Sequence, residues 1–168
     1  YRSDEDREDL CSRILSELIE YKQLENDDEI CLGKGGARPE VPKQESIAYI
    51  VSGAPASGKS HVADELARAH GAYILDSDYA KRKFPEYEEY EGGASLVHEE
   101  SSEIIFGAKD VNDSLFEYCI YSQYNVVIPL VGRTQDSVMK ICRKLLEAGY
   151  TVHFVNVVLD RYKCTQRA

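Results

Sequence analysis

Gly53-Ala54-Pro55-Ala56-Ser57-Gly58-Lys59-Ser60 satisfies the pattern GxxxxGK[ST] at every fixed position. It follows a short apolar, β-leaning run at 47–52 and precedes a segment, 59–70, with Val62, Leu66 and Ala69 on one helical face. A strand, a tight loop and a helix in that order are what the chemistry of the pattern needs. The glycines let backbone N–H groups approach phosphate oxygens with no Cβ in the way, and the positive end of the helix faces the same anion. Lys59 then reaches the β- and γ-phosphates, and the Ser60 hydroxyl ligates Mg²⁺. The bland alternative is a strand-to-helix turn carrying a surface lysine. The expected ligand of residues 53–60 is a nucleoside triphosphate with Mg²⁺.

Outward from this loop the texture alternates. Strands are predicted at 47–52, 72–75, 125–130 and 151–159. Helices are predicted at 59–70, over 95–122 with a break near Gly107, and at 135–148 with Gly149 as the stop. Strands separated by helices imply right-handed βαβ crossovers and a mostly parallel sheet. The fold class is therefore α/β, of the three-layer α/β/α sandwich type built around a P-loop, with an N-terminal helical appendage. That appendage, 1–45, holds seven basic and thirteen acidic side chains. Leu10, Ile14, Leu15, Leu18, Ile19 and Leu24 recur at helical spacing, which predicts one amphipathic helix over about 5–24. A Gly-rich stretch, 33–39, follows. The division read from composition is 1–45, an acidic helix and loop, and 46–168, a P-loop domain.

The chain has 168 residues, 43% hydrophobic and 30% charged, with a formal net charge of −10. These are the proportions of a folded chain. The acidic balance argues against nucleic-acid and anionic-membrane partners, which need a basic surface, and the apolar runs are too short to span a bilayer. Five scattered cysteines, never in a CxxC pair, read as buried thiols in a reducing compartment, and the cytoplasm is expected.

Asp76-Ser77-Asp78 falls at the carboxyl end of the second predicted strand, the edge of a parallel sheet where ligands sit. A carboxylate there can take the proton of a hydroxyl attacking a γ-phosphate. Equally, Asp78 can be the N-cap of a short helix at 79–83. His98, Glu99 and Glu100 open a helix after a Gly-Gly pair, and either line an acceptor pocket or simply suit the helix dipole. Among the twelve tyrosines, Tyr87, Tyr90, Tyr118, Tyr121 and Tyr124 crowd the same side, where packing beneath a loop is the plain reading.

Residues 53–60, then Ile74-Leu75-Asp76-Ser77-Asp78, Phe84-Pro85-Glu86-Tyr87, the stretch 92–101 and Gly132-Arg133-Thr134 resemble the zeta toxin family of P-loop kinases in combination and order. Leu32-Gly33-Lys34-Gly35-Gly36-Ala37 resembles a segment found before the P-loop in longer, chromosomally encoded relatives. The resemblance covers about 31–168. It implies ATP-dependent phosphorylation of a sugar hydroxyl, with UDP-N-acetylglucosamine as the substrate of well-understood members, and an antitoxin protein that blocks the nucleotide site. Carried over, Lys59 holds the phosphates, Asp78 is the general base and binds the acceptor, and Arg133 is a catalytic and substrate-binding arginine. The family's substrate-binding acid after the base maps to Asp113 by one count and to Glu100 or Glu103 by motif order, and His98 joins the acceptor side. The third strand ends in Val127-Ile128-Pro129-Leu130 where several members carry an acid, so Asp76 is the remaining carboxylate for Mg²⁺. Lid arginines map to Arg161 and Arg167, with Arg167 taken as catalytic. The chain stops before a lid could be completed, and a piece of a longer kinase is expected. Other P-loop kinases remain as alternatives, acting on the ribose of NAD or on a polynucleotide end, as does a nucleotide-binding module without transfer chemistry.

Overall fold

The structure, a computed structural model, describes residues 3–54, 56–108, 113–130 and 133–158. In chain order the elements are α1 (Asp4–Glu20), a 3-10 turn (Asp27–Glu29), β1 (Ile47–Gly53), α2 (Lys59–His70), β2 (Tyr73–Ile74), α3 (Ser77–Lys81), α4 (Glu86–Glu89), α5 (Gly93–Leu96), α6 (His98–Phe106), α7 (Leu115–Ser122), β3 (Val126–Pro129), α8 (Gln135–Glu147) and β4 (Thr151–Val157). No described helix is long and apolar enough to cross a membrane. Two compact units form from interleaved segments: Val41–Ile74 with Cys119–Ala168, and Tyr1–Glu40 with Leu75–Tyr118. Residues 1–40 of the N-terminal segment thus share a unit with 75–118.

The first unit holds a four-stranded sheet in the order β2-β3-β1-β4, parallel at every pairing. This is the α/β architecture expected from the alternation of elements. β3 is buried along its whole length, as a central parallel strand must be. Ile50 and Val51 of β1 and Ile128 of β3 form the core with Ala63 and Ala67 of α2 and Leu145 of α8. Asn125, fully buried, ties three ends together. Its Oδ1 accepts from the backbone N–H of Glu45 at 3.2 Å and of Ile47 at 3.1 Å, while Nδ2 donates to the His70 carbonyl at 2.9 Å. The start of β1, the end of α2 and the start of β3 are thereby fixed, and with them the loop that follows β1.

In the second unit, α1 opens on a capping box, with Ser3 Oγ accepting from Asp6 N and the Asp6 carboxylate accepting from Ser3 N. The helix ends at Glu20, short of the expected Leu24. Tyr21 turns extended there, and its carbonyl accepts from Arg38 N at 3.2 Å, drawing the chain into a bridge between Lys22 and Arg38. Leu10, Ile14 and Leu18 are buried, as their spacing predicts. Glu17 is buried with them, 5% exposed, against a fully buried Lys83. Lys83 Nζ donates to Glu17 Oε2 at 2.7 Å, to the Cys31 carbonyl at 3.0 Å and to the Lys34 carbonyl at 3.3 Å. Burial opposes the Glu17 charge, but Lys83 and the Gly33 amide hold its carboxyl below the ordinary range.

The long helical segment after residue 95 is broken more often than expected, into α5, α6 and α7, with Gly107 ending α6 at φ 94°. The Gly92-Gly93 pair has a packing reason: a Cβ on Gly93 would stand 1.8 Å from the Glu86 carbonyl oxygen, so only glycine lets α5 sit against α4. The thiols do not follow the expected burial. Cys119 is buried, whereas Cys11, Cys31 and Cys142 are half-buried, and these four are free. Of the five tyrosines expected to pack beneath a loop, Tyr87 and Tyr90 are exposed and Tyr121 is 92% exposed, whereas Tyr118 and Tyr124 are half-buried.

Candidate functional site

The loop after β1 is built as its sequence requires. Ala56 and Gly58 take left-handed conformations, at φ 60° and φ 90°, and turn the chain into α2 at Lys59. A Cβ on Gly53 would lie 2.6 Å from Ser57 Oγ and 3.0 Å from the Val157 carbonyl, so a larger residue there would push the Ser57 hydroxyl aside. Lys59 Nζ donates to the Gly53 carbonyl at 3.0 Å, across the mouth of the loop. Ser57 is 3% exposed and its hydroxyl is buried with no hydrogen-bond partner among the described residues. Buried polar groups without partners are rare. A donor left without an acceptor beside an ammonium, at the start of a helix, is a site that an anion completes. These residues fit a phosphate chain. Ser60 is exposed in the first turn of α2, open to a metal ion, and Ala54 is exposed. Pro55 lies outside the described residues.

Arg133 belongs to the same unit. It is half-buried just ahead of α8 and its Nη1 donates to Ser137 Oγ at 3.2 Å, while Thr134 caps the helix by accepting from Ser137 N. Arg161 and Arg167, the expected lid arginines, lie outside the described residues, as does Gly132.

The acids of the second unit divide their work differently from the sequence reading. The N-cap of α3 is Asp76, not Asp78: Asp76 Oδ1 accepts from Asp78 N at 2.9 Å. α3 begins at Ser77, which puts Asp78 inside the first turn, where it is exposed. Lys81 Nζ stands 3.3 Å from Asp78 Oδ1. Burial, then the charge of Asp78, push the Asp76 carboxyl up to about 6. A carboxyl raised in the folded state holds its proton longer than in the unfolded chain, so folding loses stability as pH rises from about 4 to about 6. Asparagine caps as well as aspartate and carries no charge. Asp76→Asn should therefore match wild type below about pH 4 and exceed it above about pH 6, read as urea midpoints across that range. A difference that is the same at every pH would show that the Asp76 charge is not what burial opposes.

His98 is exposed at the first position of α6. The three acids between which the sequence did not choose come together. Glu100, Glu103 and Asp113 line one cleft of about 720 Å³ in this unit, with Arg7, Cys11 and Leu15 of α1 on its other side. Glu100 is held from α1: Arg7 Nε donates to Glu100 Oε1 at 3.1 Å, Arg7 Nη2 donates to Glu100 Oε2, and Arg7 Nη1 donates to Glu86 Oε1. The Arg7 guanidinium lies over the Phe84 ring, 4.8 Å from its centroid. Sequence reasoning missed Arg7, Glu17 and Lys83. Arg7 was lost within an acidic run, but Glu17 carried a signal, an acid on the apolar stripe of an amphipathic helix.

The family model described as Zeta toxin matches residues 35–167. No curated protein matches the chain. Among solved structures, one from the PezAT chromosomal toxin–antitoxin system of the human pathogen Streptococcus pneumoniae is similar, with a TM-score of 0.64 and 20% identity over 99% of this chain. This chain spans 62% of the length of that one.

Proposed function

Since the chain belongs to the zeta toxin family, we propose that it is a P-loop kinase that moves the γ-phosphate of ATP to a hydroxyl of a nucleotide sugar such as UDP-N-acetylglucosamine. The observation that carries this reading is the cradle after β1, where an unpartnered buried Ser57 hydroxyl and the Lys59 ammonium both stand against Gly53. In this reading residues 53–60 hold the triphosphate. Lys59 exchanges the Gly53 carbonyl for the β- and γ-phosphates. Ser60, with Asp76 as the available carboxylate, holds Mg²⁺, which would neutralise charge on the phosphates.

Asp78 takes the proton of the attacking hydroxyl, and Arg133 and Arg167 balance charge on the transferring group. Asp78, His98, Glu100 and Arg133 bind the acceptor. The likeness to a toxin–antitoxin structure supports an antitoxin as protein partner.

The test is mass spectrometry of a metabolite mixture incubated with Mg·ATP and the protein, with Lys59→Ala as control. UDP-N-acetylglucosamine, other nucleotide sugars and NAD belong in the mixture. A phosphorylated nucleotide sugar formed by wild type alone is the expected result. A phosphorylated NAD would move the acceptor to a ribose, and ATP binding with no product would leave a nucleotide-binding module.

A further inference from the structure

Arg7 lies outside the family-matched residues 35–167, yet it is the side chain that organises the carboxylates of α4 and α6. Its guanidinium is engaged on every side. Two nitrogens grip both oxygens of Glu100, the third reaches Glu86, and the plane rests on Phe84, itself 1% exposed. Glu86 Oε2 is buried with no hydrogen-bond partner among the described residues, so Arg7 is what offsets the burial of that carboxylate. A planar fork fixes the orientation of a carboxylate where an ammonium would leave it free to turn. Each Glu100 oxygen spends one lone pair on Arg7 and keeps another for a donor.

We propose that Arg7 is a positioning residue for the acceptor: it sets the Glu100 carboxylate in the orientation that receives acceptor hydroxyls in the cleft that Arg7, Glu100, Glu103 and Asp113 share. The inference rests on the reading of Glu100 as an acceptor-binding acid. It also restricts what enters. The charge of Arg7 is already matched by Glu86 and Glu100, and Asp4, Glu8, Glu103 and Asp113 line the same cleft. The part of the acceptor oriented there is thus a neutral, hydroxyl-bearing ring and not a phosphate. α1 is on this view a working wall of the acceptor side.

Steady-state kinetics of the full chain with Mg·ATP and UDP-N-acetylglucosamine would test this, comparing wild type with Arg7→Ala, Arg7→Lys, Glu100→Gln and Arg7→Ala/Glu100→Gln. Arg7→Ala should raise the acceptor KM by about tenfold while kcat and the ATP KM stay within about twofold. Arg7→Lys should keep the melting temperature but not the acceptor KM, because the charge remains and the fork is lost. The double variant should be no worse than Glu100→Gln, the mark of one residue acting through the other. If Glu100→Gln raises the acceptor KM and neither Arg7 variant does, the proposal fails alone. It fails also if both Arg7 variants lower kcat, weaken ATP and lower the melting temperature together, which is what a structural staple does. No phosphorylated UDP-N-acetylglucosamine from wild type, or an unchanged acceptor KM in Glu100→Gln, removes the underlying reading and the proposal with it.

Discussion

Asp78→Asn is expected to leave nucleotide binding and folding in place while turnover falls by about 10²–10⁴-fold, the range a positioned general base contributes. The separation is clean because of where the helix cap lies. Asp76, not Asp78, satisfies the N-terminus of α3, and Asp78 is exposed; its partner Lys81 is only 15% exposed, but the asparagine amide oxygen remains as an acceptor for it. Stability should stay within about 0.5 kcal/mol of wild type. Titration with a fluorescent ATP analogue, urea unfolding and product mass spectrometry on one preparation check all three parts. Turnover retained in the variant would remove Asp78 from the role of base, and nucleotide binding lost with it would place Asp78 among the phosphate ligands.

The second large effect concerns folding alone. Lys83→Met should destabilise the protein by about 3 kcal/mol, because breaking a buried ion pair leaves its partner charged and desolvated. The figure sits at the lower end of the usual range, since the Gly33 amide and the half-exposed Arg13 still face Glu17. Lys83→Met/Glu17→Leu should recover most of the loss, as apolar replacements of both partners commonly do. Urea unfolding at neutral pH with an unchanged m-value is the measurement. A loss below about 1 kcal/mol in the single variant would mean that Glu17 takes up a proton or reaches water. The ionisation of Glu17 gives a further check by sign: its carboxyl is held low in the folded state, so the pair's contribution is present at neutral pH and fades as acid protonates Glu17.

What the sequence made legible was local. The strand before the glycine loop and the helix after it read correctly because each decision depends on neighbours: an apolar run, then a helical stripe. The parallel order of the sheet followed from alternation alone. Less local decisions went astray. Asp76 and Asp78 are two residues apart and chemically identical, and only the backbone direction entering α3 decides which one caps it. α1 stopped before Leu24 because Arg38, far along the chain, recruits the Tyr21 carbonyl. The clamp of Arg7 on Glu100 joins residues 93 apart, which no periodicity encodes. The family resemblance gave Glu100, Glu103 and Asp113 as rival positions, whereas the folded chain gathers them around a single cleft with α1.

The order of the sheet also sets a timetable. β1 leads into the glycine loop and lies between β3 and β4, both made long after it. At ordinary synthesis rates of about 5–20 residues per second, the roughly 70 residues between β1 and β3 keep its apolar run without a neighbour for several seconds. Non-local parallel pairing is slow once both strands exist. The segment on which the proposed chemistry depends is thus the one most in need of shielding in the nascent chain, and a chaperone that binds short apolar strands would find its target there first.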